Sequence, residues 1–410
     1  MAKHLFAGLM SGTSLDGVDA VLAEWSEAPE PSVNRAPDRP ADAQAAGSLP
    51  QCALPATAAP RELAFVHLPM PAALHDELLQ LNREGPGELH RMAIAGNALA
   101  DLYAQAVRAL LAQARVAPAE VRALGAHGQT VRHRPGEFDG TGYTTQLLNG
   151  ALLAERTGID VVCDLRSRDV AAGGQGAPLV PAFHAEVFGE PGGAAVLNVG
   201  GIANLTLLPA RAANADARPA VRGFDCGPGN VLMDLWCERV TGRRFDEDGR
   251  FAASGRVHEG LLRRCLADPF FERAPPKSTG RDLFDARWLD ARLVEPGEAS
   301  PPAPADVMAT LAELTAAAAV DALARHGGGL PRLRVCGGGA FNGHLMRRLA
   351  ARAGAGVEVS STAVRGILPD HVESLAFAWL ARAFCARQAG NVPAVTGAAG
   401  PRVLGALYPG

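Results

Sequence analysis

The chain has 410 residues, 48% of them hydrophobic and 20% charged, a composition of globular domains that predicts two domains at this length. A formal net charge of −4 gives no reason to expect a nucleic-acid partner, and no apolar run of about 18 residues is present to cross a membrane. The apolar start is interrupted at Ser11–Asp19, too early for a signal peptide. Seven scattered cysteines without a C-x-x-C pair predict a reduced, cytoplasmic protein without disulfides or a zinc site.

In the first half of the chain, "LFAGLM" and "VDAVLAEW" are predicted strands on either side of a Gly/Ser/Thr/Asp loop. Residues 27–62 are Pro- and Ala-rich without periodicity, so a flexible insertion is expected there. The apolar spacing of "NALADLYAQAVRALLAQA" predicts an amphipathic helix. The stretch "VRALGAHGQTVRH" predicts a short strand that ends in a loop, and "GIDVVCDL" predicts a buried strand.

The second half repeats the opening arrangement, because residues 194–208, "AAVLNVGGIANLTLL", again read strand, Gly-Gly, strand. Farther on, "LRVCGGGAFN" is a strand that runs into a glycine triplet, before the helical pattern "GHLMRRLAARA". Two more helices are predicted in "MATLAELTAAAAVDALARH" and "ESLAFAWLARAFCAR". Alternating strands and helices predict an α/β fold, with two related lobes, residues 1–165 and 166–410, that face a shared cleft.

The three glycine loops, "SGTSLDG", "NVGGIAN" and "CGGGAFN", suit the binding of an anion, since turns of this kind present backbone N–H groups at one point. An ordinary tight hairpin is the alternative for any one of them. No G-x-x-x-x-G-K-[ST] motif occurs, and "CGGGAFNG" lacks the third glycine of G-x-G-x-x-G. The set therefore predicts a nucleotide held by several loops.

Asp225 in "GFDCGPGNVLMDLW" is the sharpest single candidate for chemistry, as an acid or base. Pro228 predicts a helix start just after it, and a carboxylate that only fixes the turn is the alternative. In "PKSTGRDLF", Lys277 and Ser278 suggest a contact with phosphate. That this segment is only an exposed loop before a helix is an equal alternative. Three histidines at irregular spacing are interpreted as loop or packing residues: His127, His133 and His184.

Several motifs together resemble the 1,6-anhydro-N-acetylmuramic acid kinase family, of the actin, sugar-kinase and heat-shock ATPase superfamily. They are "GLMSGTSLDGVDAVL", "AHGQTVRH", "RDVAAGGQGAPLVPAFH", "LNVGGIANLT", "RGFDCGPGNVLMD", "PKSTGRDLF" and "VCGGGAFN". The resemblance runs from residue 4 to the C-terminal "TGAAGPRVLGALYP". It implies a two-lobed actin-like/sugar-kinase fold with a central nucleotide cleft. The segment 27–62 is longer than the family needs.

The resemblance also implies which residues hold ATP. The first phosphate loop would comprise Gly12, Thr13, Ser14, Leu15, Asp16, Gly17, Val18 and Asp19. The opposing phosphate loop would contain Gly200, Gly201 and Asn204, and the adenosine-side loop Gly337, Gly338 and Gly339. Asp16 and Asp19 would hold Mg²⁺ through water, because Mg²⁺ keeps several waters and takes one or two carboxylates. For Asp16, an Asx turn is the alternative.

The implied activity is an ATP-dependent kinase of cell-wall recycling that opens the anhydro bridge of the sugar and phosphorylates O6. Asp225 matches the catalytic base, and Arg168 would bind the lactyl carboxylate, with a surface ion pair as its alternative. Thr130 and Glu373 would contact the sugar or the water. A homodimer is the family expectation.

Two other functions remain as alternatives. A general sugar kinase would use Asp225 on a free hydroxyl, and a nucleotide-dependent switch or filament module would use the same cleft without a base. A sugar-responsive repressor would need a DNA-reading element. The strand pattern that starts at residue 4 leaves no room for one.

Overall fold

The computed structural model describes residues 3–12, 15–26, 60–210, 220–280, 283–293 and 302–410. The chain forms two compact units. The first comprises residues 1–176, 377–391 and 398–410, and the second comprises residues 177–376 and 392–397.

The elements follow one another in two sets. Up to residue 176 they are β1 (Lys3–Met10), β2 (Gly17–Ser26), β3 (Arg61–Pro69), α1 (Ala72–Leu81), α2 (Glu88–Ala114), β4 (Val121–Ala126), β5 (Gln129–Pro135), β6 (Gly142–Leu147), α3 (Gly150–Thr157), β7 (Val161–Cys163) and α4 (Ser167–Val170). From residue 177 they are α5 (Val180–Val187), β8 (Ala194–Val199), β9 (Ile202–Leu208), β10 (Arg222–Pro228), α6 (Val231–Thr241), α7 (Arg250–Ala253), α8 (Glu259–Leu266), α9 (Pro269–Glu272), α10 (Ala286–Leu293), α11 (Pro304–His326), β11 (Arg332–Cys336), α12 (Gly343–Ala353), β12 (Glu358–Ser361), α13 (Val372–Cys385), α14 (Pro393–Thr396) and β13 (Ala406–Tyr408).

The same sheet is built twice. In the first unit the strand order is β13-β7-β4-β1-β2-β3, and in the second it is β10-β9-β8-β11-β12. In both, the first three strands form an antiparallel meander, and two later strands add in parallel beside the first of them. The α/β prediction and the prediction of two related units are therefore confirmed.

Helix α2 forms the centre of the first core, where Leu99, Tyr103 and Val107 are fully or almost fully buried. It contains the predicted helix but begins earlier, at Glu88. Helix α11 is central to the second core. Its length and mean hydropathy of 1.5 over an 18-residue window would allow a membrane span, but 89% of that window is buried inside the protein.

The division into units differs from the predicted boundary at 165/166. The first unit continues to Gly176, and the chain returns to it at Phe377. Helix α13 therefore begins in the second unit and continues in the first. Part of α13 packs directly on β4, where a Cβ on Gly125 would lie 1.9 Å from the Phe377 carbonyl oxygen. Strand β13 adds to the same sheet by pairing with β7. Sequence patterns do not show such long-range returns.

The expected insertion at 27–62 lies mostly outside the described residues. Its last two residues, Arg61 and Glu62, belong to β3, which pairs with β2. For these two residues the flexible-loop prediction is wrong, because cross-strand pairing holds their backbone.

Candidate active site

A row of polar side chains crosses the sheet of the second unit. Asn198 on β8 is opposite Asn204 on β9, and Asn204 is opposite Asp225 on β10. Directly opposed residues of antiparallel strands project from the same face. The alternate residues, such as Leu197 and Leu205, project from the other face into the core around α11. The row therefore lies on the face away from that core.

Asp225 lies within β10, and two backbone groups of a later loop fix it. Its Oδ2 accepts a hydrogen bond from the Thr279 N–H at 2.9 Å, and its own N–H donates to the Lys277 carbonyl at 3.0 Å. Burial raises the pKa of Asp225 to about 6, against the opposing effects of the Thr279 N–H and the Lys277 charge. The predicted helix start at Pro228 is wrong, because β10 pairs with β9 as far as that residue and α6 begins at Val231.

Lys277 is held against the preceding helix, α9. Its Nζ donates to the Phe270 carbonyl at 3.1 Å and lies 4.6 Å from the centroid of the Phe270 ring. The neighbouring Ser278 is exposed. This arrangement favours a role in fixing the loop that holds Asp225 over the phosphate contact that the motif suggested.

The turn between β8 and β9 is built on close backbone contacts. The N–H groups of Gly229 and Asn230 donate to the carbonyls of Gly201 and Gly200, at 2.9 and 2.8 Å. A Cβ on Gly229 would lie 2.3 Å from the Gly200 carbonyl oxygen, so only glycine allows this approach. The "GPGN" motif therefore braces the predicted second phosphate turn.

The glycine triplet joins the same group. It follows β11 directly and consists of Gly337, Gly338 and Gly339. Gly337 has a φ of +77°, and a Cβ there would lie 2.4 Å from the Asn198 Oδ1. Asn230 donates from Nδ2 to the Val199 carbonyl at 3.1 Å. The second unit thus brings the two glycine loops and Asp225 to one sheet.

Glu373 lies in the first turn of α13, and its Oε1 accepts a hydrogen bond from Asn198 Nδ2 at 3.4 Å. Because Asn204 separates Asn198 from Asp225, the two carboxylates stand at opposite ends of the polar row. Sequence position alone could not show this contact, since 175 residues separate Glu373 from Asn198.

The first glycine loop lies in the first unit, at the end of β1. The Ser11 hydroxyl is hydrogen-bonded to the Tyr103 hydroxyl at 2.9 Å and to the Gly128 carbonyl at 3.0 Å. Leu15 has a φ of +57°, and its N–H donates to the Gly12 carbonyl at 3.2 Å. Two residues assigned to this loop lie outside the described residues: Thr13 and Ser14.

The loop is shorter than the resemblance implied, because Gly17, Val18 and Asp19 belong to β2 and pair with β3. Asp19 Oδ1 is 2.8 Å from His67 Nδ1, its cross-strand neighbour. The carboxylate of Asp16 is exposed at the end of the loop. Of the two predicted Mg²⁺ contacts, Asp16 therefore fits the few-carboxylate, many-water coordination of Mg²⁺ better than Asp19. Among the described residues no group of three or more His, Cys, Asp and Glu side chains could hold a metal.

Two side chains that the sequence did not single out, Arg166 and Gln129, support the first loop together with His127, which was expected to be a loop or packing residue. Arg166 donates from Nη2 to His127 Nε2 at 2.9 Å, so the other ring nitrogen carries the proton and donates to the Ser11 carbonyl at 3.2 Å. Burial and the Arg166 charge lower the pKa of His127 to about 3. Gln129 donates to the Gly12 carbonyl at 3.2 Å. The "AHGQT" motif carried this signal, but only the fold shows its target.

Two predicted substrate contacts also lie in the first unit. Thr130 is in β5, not in a loop, and its hydroxyl accepts a hydrogen bond from Gln146 at 3.2 Å. Arg168 is exposed in the four-residue helix α4. Within the described residues Arg168 forms no ion pair. The next residue, Asp169, is buried and accepts hydrogen bonds from Gly176 and Asn391.

The chain is similar to known proteins over its full length. The family model described as "Anhydro-N-acetylmuramic acid kinase" matches residues 52–410. A protein of that name from Variovorax paradoxus is 55% identical over 410 residues, covering 100% of both chains, and one from Cupriavidus pinatubonensis is 52% identical over 407 residues, covering 98% of both.

Solved structures match more weakly. A ROK hexokinase from Thermus thermophilus has a TM-score of 0.34 at 15% identity and covers 90% of this chain and 97% of its own. Component A of the (R)-2-hydroxyglutaryl-CoA dehydratase of Acidaminococcus fermentans has a TM-score of 0.44 at 11% identity, over 91% and 95%. TM-scores this low support no inference about the site.

The fold consists of two α/β units, each with a sheet that opens on a β-hairpin with a glycine loop, and the family match assigns this fold to an α/β sugar kinase. Such an enzyme transfers a phosphoryl group to an alcohol. By the family match and the full-length identities, the chain belongs to the anhydro-N-acetylmuramic acid kinase family, which confirms the resemblance noted in its motifs.

Proposed function

We propose that the chain catalyses the reaction of its family with Asp225 as the base. In this reaction ATP and water convert 1,6-anhydro-N-acetylmuramic acid to N-acetylmuramic acid 6-phosphate and ADP, for the recycling of cell-wall sugars. The assignment rests mainly on the properties of the Asp225 carboxyl group. Its pKa is raised to about 6, and it lies on the face of the second sheet that carries the polar row.

One base is sufficient for all the bond changes of this reaction. Asp225 takes a proton from water as the water oxygen attacks the anomeric carbon. The bond between that carbon and O6 breaks, and O6 takes the γ-phosphoryl group of ATP as ADP leaves. The proton on Asp225 then passes to solvent. A carboxyl with a pKa near 6 is ionised at neutral pH yet basic enough to accept this proton.

The glycine segments of both units support the use of ATP. Gly200, Gly201 and the triplet 337–339 lie at the ends of strands in the second unit, where backbone N–H groups suit phosphate. In the first unit, the loop from Gly12 to Asp16 is the corresponding candidate. Mg²⁺, when bound with ATP, supplies neutralisation of phosphate charge, and Asp16 is the carboxylate we assign to its hydration shell.

For the sugar, we assign Arg168 to the lactyl carboxylate, since a guanidinium matches a carboxylate in charge and geometry. Its exposed position in the first unit supports this role. Thr130 and Glu373 remain proposed contacts to the sugar or the water.

The test is turnover of Mg-ATP and the anhydro sugar in ¹⁸O-labelled water, for the wild type and Asp225→Asn. We expect ¹⁸O at the anomeric oxygen of a 6-phosphorylated product and a loss of kcat of about 10²–10⁴-fold in the variant. Asp290→Asn is a matched control, because this carboxylate of the same unit pairs with Arg239 on the surface. Turnover of an ordinary hexose but not of the anhydro sugar would contradict the substrate, and full activity of Asp225→Asn would contradict the base.

We also propose a cytoplasmic homodimer that acts without nucleic acid or membrane. The sparse, scattered cysteines and the modest negative charge support this setting. Sedimentation equilibrium of the purified protein tests the dimer, and a monomer at micromolar concentration would contradict it.

A further inference from the structure

The polar row of the second sheet is unusual for strands of this kind. Asn and Asp are depleted in β-strands, and β8 and β9 are otherwise almost entirely apolar and buried. Three such residues in register across three strands need a reason other than packing, since buried polar groups are normally hydrogen-bonded.

Two members of the row have partners, and the third does not. Asn198 donates to Glu373, and Asp225 accepts from Thr279. Farther along β9 on the same face, Thr206 is hydrogen-bonded to His184 of α5. Among the residues that the structure describes, the half-buried Asn204 carboxamide makes no side-chain hydrogen bond. It keeps two donors and an acceptor available for a ligand.

Distance along the strand separates Asn204 from the turn to which its motif assigned it. Asn204 follows Gly201 by three positions along β9, about 10 Å at the rise of a strand. By contrast, Asn204 faces Asp225 directly across the pair, where Cβ atoms lie about 5 Å apart. A ligand atom in contact with Asp225 is therefore within reach of the Asn204 amide, whereas a phosphate at the glycine turn is not.

We propose that Asn204 binds the acceptor side of the reaction, not the nucleotide. Its carboxamide hydrogen-bonds an oxygen atom held beside Asp225, either of the sugar or of the attacking water. This inference rests on the proposed function, because it takes Asp225 as the base. It changes the role of Asn204 from a phosphate-loop residue to a positioning residue for the acceptor.

The experiment measures KM for the sugar, KM for ATP and kcat for Asn204→Ala, beside the control Thr206→Ser. The control lies on the same strand and face and keeps its hydroxyl for His184. For Asn204→Ala we expect a loss of kcat/KM for the sugar of about 10–100-fold with KM for ATP within about twofold of the wild type. A sugar contact appears as a raised KM, and a water contact as a lowered kcat. Thr206→Ser should leave all three parameters unchanged.

A second variant of Asn204 changes a quantity, the pH dependence of kcat/KM, that a purely structural role of this residue would leave unchanged. Asn204→Asp places a carboxylate directly opposite Asp225, and like charges raise a carboxyl pKa. We therefore expect the acid limb of kcat/KM to move to higher pH in this variant but not in Asn204→Ala.

Three results would overturn the inference: a raised KM for ATP with unchanged sugar parameters, wild-type kinetics in Asn204→Ala, or an unmoved acid limb in Asn204→Asp. Full activity of Asp225→Asn would instead overturn the proposed function, so the two failures are distinguishable.

Discussion

At the scale of single residues, the burial that raises the pKa of Asp225 also lowers the stability of the folded chain at neutral pH. The unfolded chain has an aspartate pKa of about 3.9, whereas burial raises that of Asp225 to about 6. The native state therefore holds its proton more tightly, and its stability falls as pH rises from about 4 through about 6. We expect Asp225→Asn to increase the free energy of unfolding by about 1–2 kcal/mol at pH 8 and by little at pH 4.

Urea unfolding of both proteins at the two pH values measures this difference. The amide oxygen of the variant can still accept the Thr279 hydrogen bond, so the comparison isolates the charge. A variant that is no more stable than the wild type at pH 8 would show that the carboxylate is not penalised by burial.

The second residue-scale prediction concerns the pH profile. The Lys277 charge opposes the rise in the pKa of Asp225, so removing it raises that pKa further. In Lys277→Met we expect the acid limb of kcat/KM to move from about pH 6 to higher pH. Arg273→Met is the control, because it removes a nearby charge that does not act on Asp225. A midpoint that stays or moves down in Lys277→Met would contradict this electrostatic coupling.

At the scale of elements, the glycine triplet after β11 tests the proposed nucleotide site. Gly337 and Gly354 both have positive φ, +77° and +71°, but only a Cβ at Gly337 would meet a neighbour within 4 Å. Each change to alanine should cost about 1 kcal/mol of stability through backbone strain, and Gly337→Ala should cost more, because its Cβ would lie 2.8 Å from the Val199 carbonyl oxygen. We expect Gly337→Ala alone to raise KM for ATP, by at least several-fold, because it pushes on Asn198 and the Val199 carbonyl. Steady-state kinetics at varied ATP measures this, and equal effects of the two variants would count against the site.

The sequence predicts well those elements whose signal is local. Both glycine hairpins, α11 and the helix from 97 to 114 follow from period and turn residues. The sequence does not predict those features that depend on contacts between residues far apart in the chain. Pro228 continues a strand because β9 pairs with it, and β3 pairs with Gly17–Asp19, which the resemblance had assigned to the phosphate loop. Arg166 contacts His127, 39 residues away in the sequence, and His127 contacts Ser11, 116 residues away, which no local pattern shows.

At the scale of the whole molecule, each unit contains a buried neutral histidine. Burial lowers the pKa of His184 to about 3, as burial and Arg166 do for His127. The unfolded chain takes up these protons near pH 6.5, so stability is lost progressively as pH falls from about 6.5 toward 3. Each histidine should cost about 1–2 kcal/mol between pH 6.5 and 5.

Chemical denaturation at both pH values measures that loss. In His184→Gln we expect the loss of stability to shrink by the contribution of one histidine, while a change of the exposed His90 to Gln should leave the loss unchanged. An undiminished loss in His184→Gln would show that other groups set the acid limit.

The return of the chain to the first unit has a consequence for the order of biosynthesis. The first unit needs part of α13 and needs β13, which pairs with β7, whereas the second unit is nearly continuous from 177 to 376. During translation, the half that is made first must therefore wait for the segment at 398–410 to leave the ribosome before its sheet is complete. The last strand of the second sheet is β12, which ends at Ser361, so this sheet can be completed first although its synthesis begins later.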